Sequence, residues 1–568
     1  MIPPYNVKDI NVTTTIDENN GTGDLSLREA IIQANTSPEE NLVIERIVLS
    51  PGQTYKLTLA GLEEDNSATG DLDILSSGRV EISVSGNGKA TIDGGSIDRI
   101  FDVKEGGFLD LKNIVVTGGA SIYGAGIATS PDSNLYITDS AIIDNITSGL
   151  SSGISAGYGI GIYSRGNVTI ENSSISGNEG TGDGGGIGIG EGSNVVITKS
   201  LISNNEITGD GGGIFNQGGL NITNSTISSN VANGRVRGGG GYGGGINNDG
   251  YINLNSATIT NNESSGYIDA RNSGGGIYNS IALGNVPNKV ELSNSIIAAN
   301  KNRDGIADDI VNDLNITSQG YNLIGNATGL ESIFNVTGDQ IGSETFPLDP
   351  ELGPLVDNGG ATQTHTLLAG SPAIDKGSTD APTQDQRGMD RVGQPDIGAY
   401  EYQAKTDISD NLTGNVMRFW NAQNRAHFFT ANPQEVQDIL NNPNSGYQNE
   451  GNEFDVPKAD ASGTLPVYRY KNQKTSTYFY TFQVPSDITP DYPDLVADGI
   501  AFNAYTSETK PADAIPIYRF WNEGRSAEVG SPVHFFTSTE SNKQDVIDNY
   551  PNFKYEDAGF YAYPASYF

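Results

Sequence analysis

The sequence predicts an all-β protein: a right-handed parallel β-helix, or solenoid, followed by a smaller, mostly-β module with pseudo-threefold symmetry. Three observations carry this expectation. A glycine run ending in isoleucine recurs at Gly184–Ile187, Gly211–Ile214, Gly243–Ile246 and Gly274–Ile277, with looser copies at Gly124–Ile127 and Gly159–Ile162. A Ser/Ile/Asn segment follows each glycine run at near-constant distance, 15 residues from Ile187 to Ile202 and 13 from both Ile214 to Ile227 and Ile246 to Ile259. The glycine-corner pattern then stops near residue 403: the last 166 residues hold 28 of the 46 aromatics but only 8 of the 73 glycines. Self-similarity at periods of 20 to 50 residues is the signature of a stacked array.

Within each repeat, the runs Asn194–Thr198 (NVVIT) and Leu220–Thr223 (LNIT) alternate apolar and polar residues and are rich in β-branched side chains, as strands are. Glycines mark corners that need positive φ or close backbone approach. Asn145, Asn178, Asn205, Asn230, Asn262 and Asn300 recur at one corner, where asparagine tolerates the left-handed conformation. Stacking at about 4.8 Å, the spacing between strands, sets these amides into a ladder and turns the isoleucines into a narrow core. A phosphate-binding loop is the competing reading of a glycine run, but these glycines precede strands and lack the Lys-Ser/Thr that such a loop requires.

Composition limits the function. The 568 residues carry 69 acidic and 32 basic side chains, a net charge of −37, which repels nucleic acid and anionic membranes. With no cysteine there is no disulfide, thiolate zinc site or thiol catalysis, and three histidines make a histidine-based metal site a poor expectation. No run approaches 18 apolar residues, and the start MIPPYNVKDI has no secretory pattern.

Four segments complete the plan: an N-terminal helical cap at about 23–35, a C-terminal cap at about 347–402 ending a 1–402 β-helix, a polar linker at 403–415, and a triple-repeat module at 416–568. The stretch Gly23–Asn35 (GDLSLREAIIQAN) resembles the segment, named for its Cys-Ser-Leu-Arg-Glu-Ala core, that opens many bacterial secreted β-helix proteins; Leu25 stands where the pattern has Cys. The set Ser371–Gly377, Asp385–Gly388 and Asp396–Glu401 resembles the C-terminal region of bacterial surface proteins grouped as choice-of-anchor β-helices. These resemblances imply a secreted or surface-displayed bacterial protein and no activity. Asp375, Asp385, Arg387 and Asp396 have the composition of a catalytic carboxylate set, but a hydrogen-bonded cap closing the last coil is the simpler expectation.

The last part repeats three times: Met417–Asn421 with His427–Thr430, Tyr468–Asn472 with Tyr478–Thr481, and Tyr518–Asn522 with His534–Thr537. It resembles a repeat of unknown function appended to many secreted bacterial and fungal proteins, which implies an accessory module for cell-wall or other glycan. Trp420 and Trp521 are candidate platforms for sugar rings, with Arg418 and Arg519 as planar donors; a repeated aromatic is also the mark of a core. His427 and His534 correspond to Tyr478, and a tyrosine does not replace a general base near neutral pH.

On the β-helix, the longer connections at 146–158, 231–242 and 263–273 place Arg235, Arg237, Arg271, Tyr158, Tyr242 and Tyr267 along one edge as a candidate ligand surface. Asp183 and Asp210 sit at equivalent corners, each in TGDGGGI, so stacking brings two carboxylates to about 5 Å. Calcium is the cofactor such an oxygen pair would take; Asp stabilising each tight turn is the alternative. The favoured expectation is an extracellular or cell-surface protein for adhesion or polysaccharide recognition, without a catalytic constellation. Its alternatives are a polysaccharide lyase or glycoside hydrolase, or a self-assembling subunit of a surface sheath or filament.

Overall fold

The computed structural model describes all residues except 1–5, 22, 37–42, 62–63, 76–78, 148–156, 235–239, 267–272, 281–287, 313–314, 369, 403–411, 441, 443–444, 458–460, 484–487, 489–491, 512–513, 524–525, 527, 529–532 and 565–568. Two compact units divide the chain, Met1–Tyr402 and Gln403–Phe568.

The first unit is a parallel β-solenoid. Three long sheets run its length: sheet I with 11 strands from Asn6–Asn11 to Ile316–Ser318, sheet II with nine from Leu72–Ile74 to Ile310–Asn312, and sheet III with 11 from Thr54–Lys56 to Gln340–Ile341. A fourth, six-stranded ladder from Gly157–Tyr158 to Lys301–Asn302 extends one corner. The isoleucines after the glycine runs are in register in sheet II, Ile127↔Ile162↔Ile187↔Ile214↔Ile246↔Ile277, and all are buried. They meet the inward rows of the other sheets, such as Leu220 and Ile222 of sheet I and Ile227 of sheet III, in one continuous apolar cluster.

Backbone proximity explains the glycines. Gly211 has φ +69°, and a Cβ on Gly213 would stand 2.7 Å from the carbonyl oxygen of Gly245 on the next coil. Any side chain at residue 213 therefore pushes neighbouring coils apart. The asparagine ladder forms, with each buried amide joined to the next: Asn178 Nδ2 donates to Asn205 Oδ1 at 2.9 Å, Asn205 to Asn230 at 2.9 Å, and Asn230 to Asn262 at 2.9 Å. From Asn178 onward each ladder oxygen also accepts the preceding asparagine's backbone N–H, as Asn205 Oδ1 does from Asn178, while Asn145 Oδ1 accepts from Gly119. The expectation of left-handed ladder asparagines is corrected. The positive φ belongs to the residue before each, Asp144, Gly177, Asn204, Ser229, Asn261 and Ala299. The tight corner turns there, which frees the asparagine to point inward and bond along the axis.

Both ends of the core are covered. Helix α1 (Leu27–Asn35) starts in a capping box between Ser26 and Glu29 and buries Leu27, Ala30, Ile31 and Ala34 against the solenoid core. Arg28 on its other side is wholly buried, with Nε 2.7 Å from Asp17, and donates to the Ser67, Gly70 and Asp71 carbonyls. Burial opposes the charge on Asp17, but hydrogen bonds from Arg28, Leu59 and Thr58 prevail and hold its carboxyl below the usual range. The far end is plugged by Ala327 and Phe334, with Leu330 and Ile333 packed beside them.

Residues 347–402 do not close the last coil, a second correction. They run along the outward face of sheet III, from the coil of Leu323 back to the coil of Lys199. Leu367, Ala373 and Ile397 pack on Ile296, Ala298 and Leu323. Thr226 donates to Gln386 at 2.6 Å, Ser228 bonds His365 at 2.9 Å, and Lys199 reaches Gln384 at 3.0 Å. Inside this strap, Asp385 pairs with Arg387 at 2.7 Å and Glu401 with Arg391 at 3.1 Å, all nearly inaccessible. Of the carboxylates read from the sequence, Asp385 thus holds the strap's own shape, as does Asp396, whose Oδ1 accepts the Asp375 backbone N–H at 2.7 Å.

The second unit is antiparallel. Each repeat is three strands: Leu412–Asn421 with Ala426–Thr430 and Tyr447–Pro457, Thr464–Asn472 with Tyr478–Thr481 and Leu495–Tyr505, and Ile515–Asn522 with His534–Thr537 and Phe553–Pro564. Helices α2 (Pro433–Leu440) and α3 (Glu540–Asn549) follow the second strands of the first and third repeats. The registers repeat, Arg418↔Phe429, Arg469↔Tyr480 and Arg519↔Phe536. Phe429, Tyr480 and Phe536 form a triangle with centroids 5.6–6.1 Å apart and rings near-perpendicular. Phe454, Phe502 and Phe560 form a second at 5.3–5.6 Å. Edge-to-face contact suits ring quadrupoles, and three equivalent copies let every ring be both edge and face.

Candidate functional site

The repeats close on one another through their second strands. His427 of the first repeat meets Phe535 of the third at 5.0 Å, His534 of the third meets Phe479 of the second at 5.2 Å, and Tyr478 of the second meets Phe428 of the first at 4.8 Å. At the junction of the first and third repeats this leaves a pocket of about 270 Å³. Trp420, His427 and Phe535 supply its aromatic wall; Arg425, Asn522, Glu528 and Asn552 supply polar groups. The Trp420 ring lies 4.8 Å from His427, its cross-strand partner.

Behind the wall, Glu450 accepts from His427 Nε2 at 3.2 Å and from Arg418 Nε at 2.8 Å. Arg418 also pairs with Glu453. The hydrogen bond from His427, then Arg418's charge, holds the Glu450 carboxyl below the ordinary range against partial burial. The third repeat is similar: Glu556 lies 3.0 Å from His534 Nε2 and forms an ion pair with Arg519 at 3.0 Å. Burial pushes His534 down despite Glu556, so its ring is neutral near pH 7. The two arginines proposed as sugar donors therefore brace histidine-bearing carboxylates. Of the two tryptophans, Trp420 is half-buried in the pocket wall, while Trp521 is 38% exposed with Nε1 donating to Ser526 at 2.6 Å.

On the solenoid, Tyr158, Asp183, Asp210 and Tyr242 fall in one stack. Tyr158 pairs with Asp183, Asp183 Oδ1 accepts the Asp210 N–H at 2.9 Å, and Asp210 Oδ1 accepts the Tyr242 N–H at 2.9 Å. Each carboxylate thus fastens the following coil's turn, the role read as the alternative to calcium. Burial, then the neighbouring charges of Asp183 and Asp249, pushes Asp210 up to about 6. Arg235, Arg237, Tyr267 and Arg271 lie outside the described residues.

One cluster was not singled out in the sequence. Carboxylate oxygens of Asp71, Asp73 and Asp102 all lie within 4.8 Å of one another. Lys104 Nζ already stands among them, 2.8 Å from Asp73, 2.7 Å from Asp102 and 2.7 Å from Asp65, so an ammonium sits where the cluster would take a cation. Asp71, left with Arg99 at 3.7 Å, is pushed up to about 7 by burial and by Asp73. The Asp-Leu-Asp alternation of residues 71–73 was the available signal, since alternate strand residues share a face.

Fold and pocket together define a two-part repeat protein, a β-solenoid with an appended aromatic module closed on itself. Residues 415–563 match the family described as a domain of unknown function (DUF5648). No curated protein matches the chain. A solved structure titled as pectate lyase Pel9A aligns over 71% of this chain and 98% of its own at 17% identity, with a TM-score of 0.31, a likeness too loose to bear on activity.

Proposed function

We propose that this protein recognises polysaccharide outside the cell or at its surface without cleaving it, seating sugar in the Trp420 pocket of the C-terminal module. The observation that carries the reading is that pocket: an aromatic wall for the C–H face of a sugar ring beside amide, guanidinium and carboxylate groups that match hydroxyls. The solenoid serves as a rigid body whose backbone groups are paired coil to coil. The brace of Arg418, Glu450 and His427 fixes the wall before ligand arrives, which lowers the ordering cost of binding.

A glycan array probed with the full chain and with Trp420→Ala tests this. Wild type retains a defined glycan set and the variant loses it by about tenfold or more, the scale of one lost stacking contact. Equal retention by both proteins overturns the pocket, and release of reducing or unsaturated sugar products overturns the non-catalytic reading.

A further inference from the structure

The three lateral faces of the solenoid differ. Sheet III is covered by the strap from the coil of Lys199 to that of Leu323. Sheet I turns a mixed row outward, in which Asn134, Thr169, Asn194, Asn221 and Asn253 alternate with charged Glu81, Asp110 and Glu291 and with the rings of Phe108, Tyr136 and Tyr251. Phe108 and Tyr136 meet at 5.2 Å, but among the described residues no ring group of this sheet spans several coils. Sheet II turns away from the core the middle residues of its three-residue strands, and these are in register: Asp102, Ala128, Tyr163, Gly188, Phe215, Asn247 and Tyr278. Of these, Asp102, Tyr163 and Tyr278 are half-buried, while Ala128, Phe215 and Asn247 are buried beneath their neighbours. The turn before each strand adds Tyr123, Tyr158, Asp183, Asp210 and Tyr242 to the same face.

Their rings are assembled. Tyr123 and Tyr158 stack at 6.0 Å with planes 9° apart, Tyr163 lies 5.6 Å from Tyr123 and 6.1 Å from Tyr158, and Phe215 lies 5.9 Å from Tyr158. Further along, Tyr242 and Tyr278 stack at 4.7 Å. Tyr123 is 39% exposed although its ring is gathered into this group. From the coil of Tyr123 to that of Tyr278 is five coil steps, about 24 Å at the strand spacing.

We propose that the aromatic face of sheet II is a second, lengthwise binding site for a neutral linear polysaccharide. It rests on the same glycan reading as the Trp420 pocket but uses different residues. Aromatic platforms recurring along an axis suit a ligand that is itself a repeat, each sugar laying its C–H face on a ring. Asp102 is already paired with Lys104 and Arg99, and the carboxylates that interrupt the platforms are Asp183 and Asp210. They accept hydroxyls and repel carboxylated or sulfated chains, as does the net charge of −37.

The test is calorimetry of the full chain with oligosaccharide series from soluble β-glucan, xylan and mannan, with polygalacturonate as the anionic control. Affinity for a neutral series rises with length, and Tyr163→Ala lowers the long-oligomer affinity about tenfold while Tyr163→Phe, which keeps the ring, does not. Trp420→Ala removes short-oligomer binding and leaves the gain with length. A Tyr123→Ala/Tyr163→Ala protein with unchanged circular dichroism and undiminished long-oligomer affinity overturns the proposal, as does polygalacturonate binding as tightly as the neutral chains. If Trp420→Ala abolishes binding at every length, the face falls and the pocket stands. If only the tyrosine variants lose binding, the pocket falls and the face stands, and no binding in any neutral series removes both.

Discussion

Both halves of this molecule are made of repeats, yet one stacks by translation and the other closes in a ring, and their cores differ accordingly. The solenoid buries a polar ladder: six asparagines pass hydrogen bonds from coil to coil, ending on Asp309, whose Oδ1 accepts from Asn300 at 2.9 Å. Translation leaves two open ends, so α1 and the Ala327–Phe334 plug are added to cover them. The module needs no such ends, because its third repeat meets its first. Its core is four positions taken three times: Val416, Val467, Ile517; Phe429, Tyr480, Phe536; Phe454, Phe502, Phe560; and Val456, Ala504, Ala562. A linear stack satisfies buried amides because each coil has identical neighbours above and below; a closed ring satisfies edge-to-face aromatics because each repeat has one neighbour on each side.

The largest expected effect breaks the ring. Phe429→Ala removes one corner of a buried triangle and costs about 3–5 kcal/mol. Both tryptophans lie in the module, so tryptophan fluorescence reports its melting while far-UV circular dichroism follows the solenoid. The first signal should shift to lower denaturant and the second stay. Coincident shifts would show that the two halves unfold together.

Breaking the ladder comes next. Asn205→Ala leaves the Asn178 amide and N–H, the Ile175 carbonyl and Asn230 Oδ1 each short of a partner. At about 1–3 kcal/mol for a buried unsatisfied group, with relaxation between coils, the loss should be about 2–4 kcal/mol. The circular dichroism transition should move and the fluorescence transition should not.

Acidity should move the halves in opposite directions. In the solenoid, burial raises Asp71 to about 7, Asp210 to about 6, Asp308 to about 6, Asp309 to about 7 and Asp396 to about 7. A carboxyl with a raised folded pKa contributes stability that is present below its unfolded pKa, near 4, and is lost as pH rises through 6 to 7. In the module, hydrogen bonds from Arg469, His427 and His534 lower Glu435, Glu450 and Glu556, and burial lowers His534. The glutamate terms are present above about 4.5 and are lost as pH falls through the depressed pKa values; the His534 term is lost as pH falls below about 6.5. From pH 8 to pH 5 the solenoid's melting temperature should rise and the module's should fall. A parallel change in both signals would reject this assignment.

The smallest effect concerns calcium. Asp183 and Asp210 each hold a backbone N–H of the following coil. Millimolar calcium or chelator should therefore shift solenoid melting by no more than about 1 °C, since an ion adds stability only by binding the folded state. A larger rise would place an ion between the carboxylates.

Much of this was legible in the sequence, for a local reason. Ile187, Ile214 and Ile246 stack because each coil repeats the last, so knowing one coil is knowing its neighbours; Asn178, Asn205 and Asn230 follow the same logic. The break near 403 was legible because a corner-built solenoid needs glycine and a ring-built module needs aromatics. Less of the site was legible. Trp420, read as a sugar platform, lies in a pocket wall whose partner Phe535 belongs to another repeat, and Arg418, read as a sugar donor, braces Glu450 and Glu453.

By itself, the sequence determined the strands, the corners, the coil register and the threefold recurrence, since these depend on side chains a fixed short distance apart along the chain. Tertiary structure alone decided what meets across long separations. It laid residues 347–402 along sheet III instead of over the last coil, because Leu367, Ala373 and Ile397 found Ile296, Ala298 and Leu323 exposed on that face. It gathered Asp71, Asp73 and Asp102 around Lys104, and brought Tyr123, Tyr158, Tyr163 and Phe215 from three coils into one patch across the intervening Gly188 coil. Coil stacking follows from periodicity, whereas the choice of a partner for an outward face follows from which apolar and charged groups remain once the stack is built.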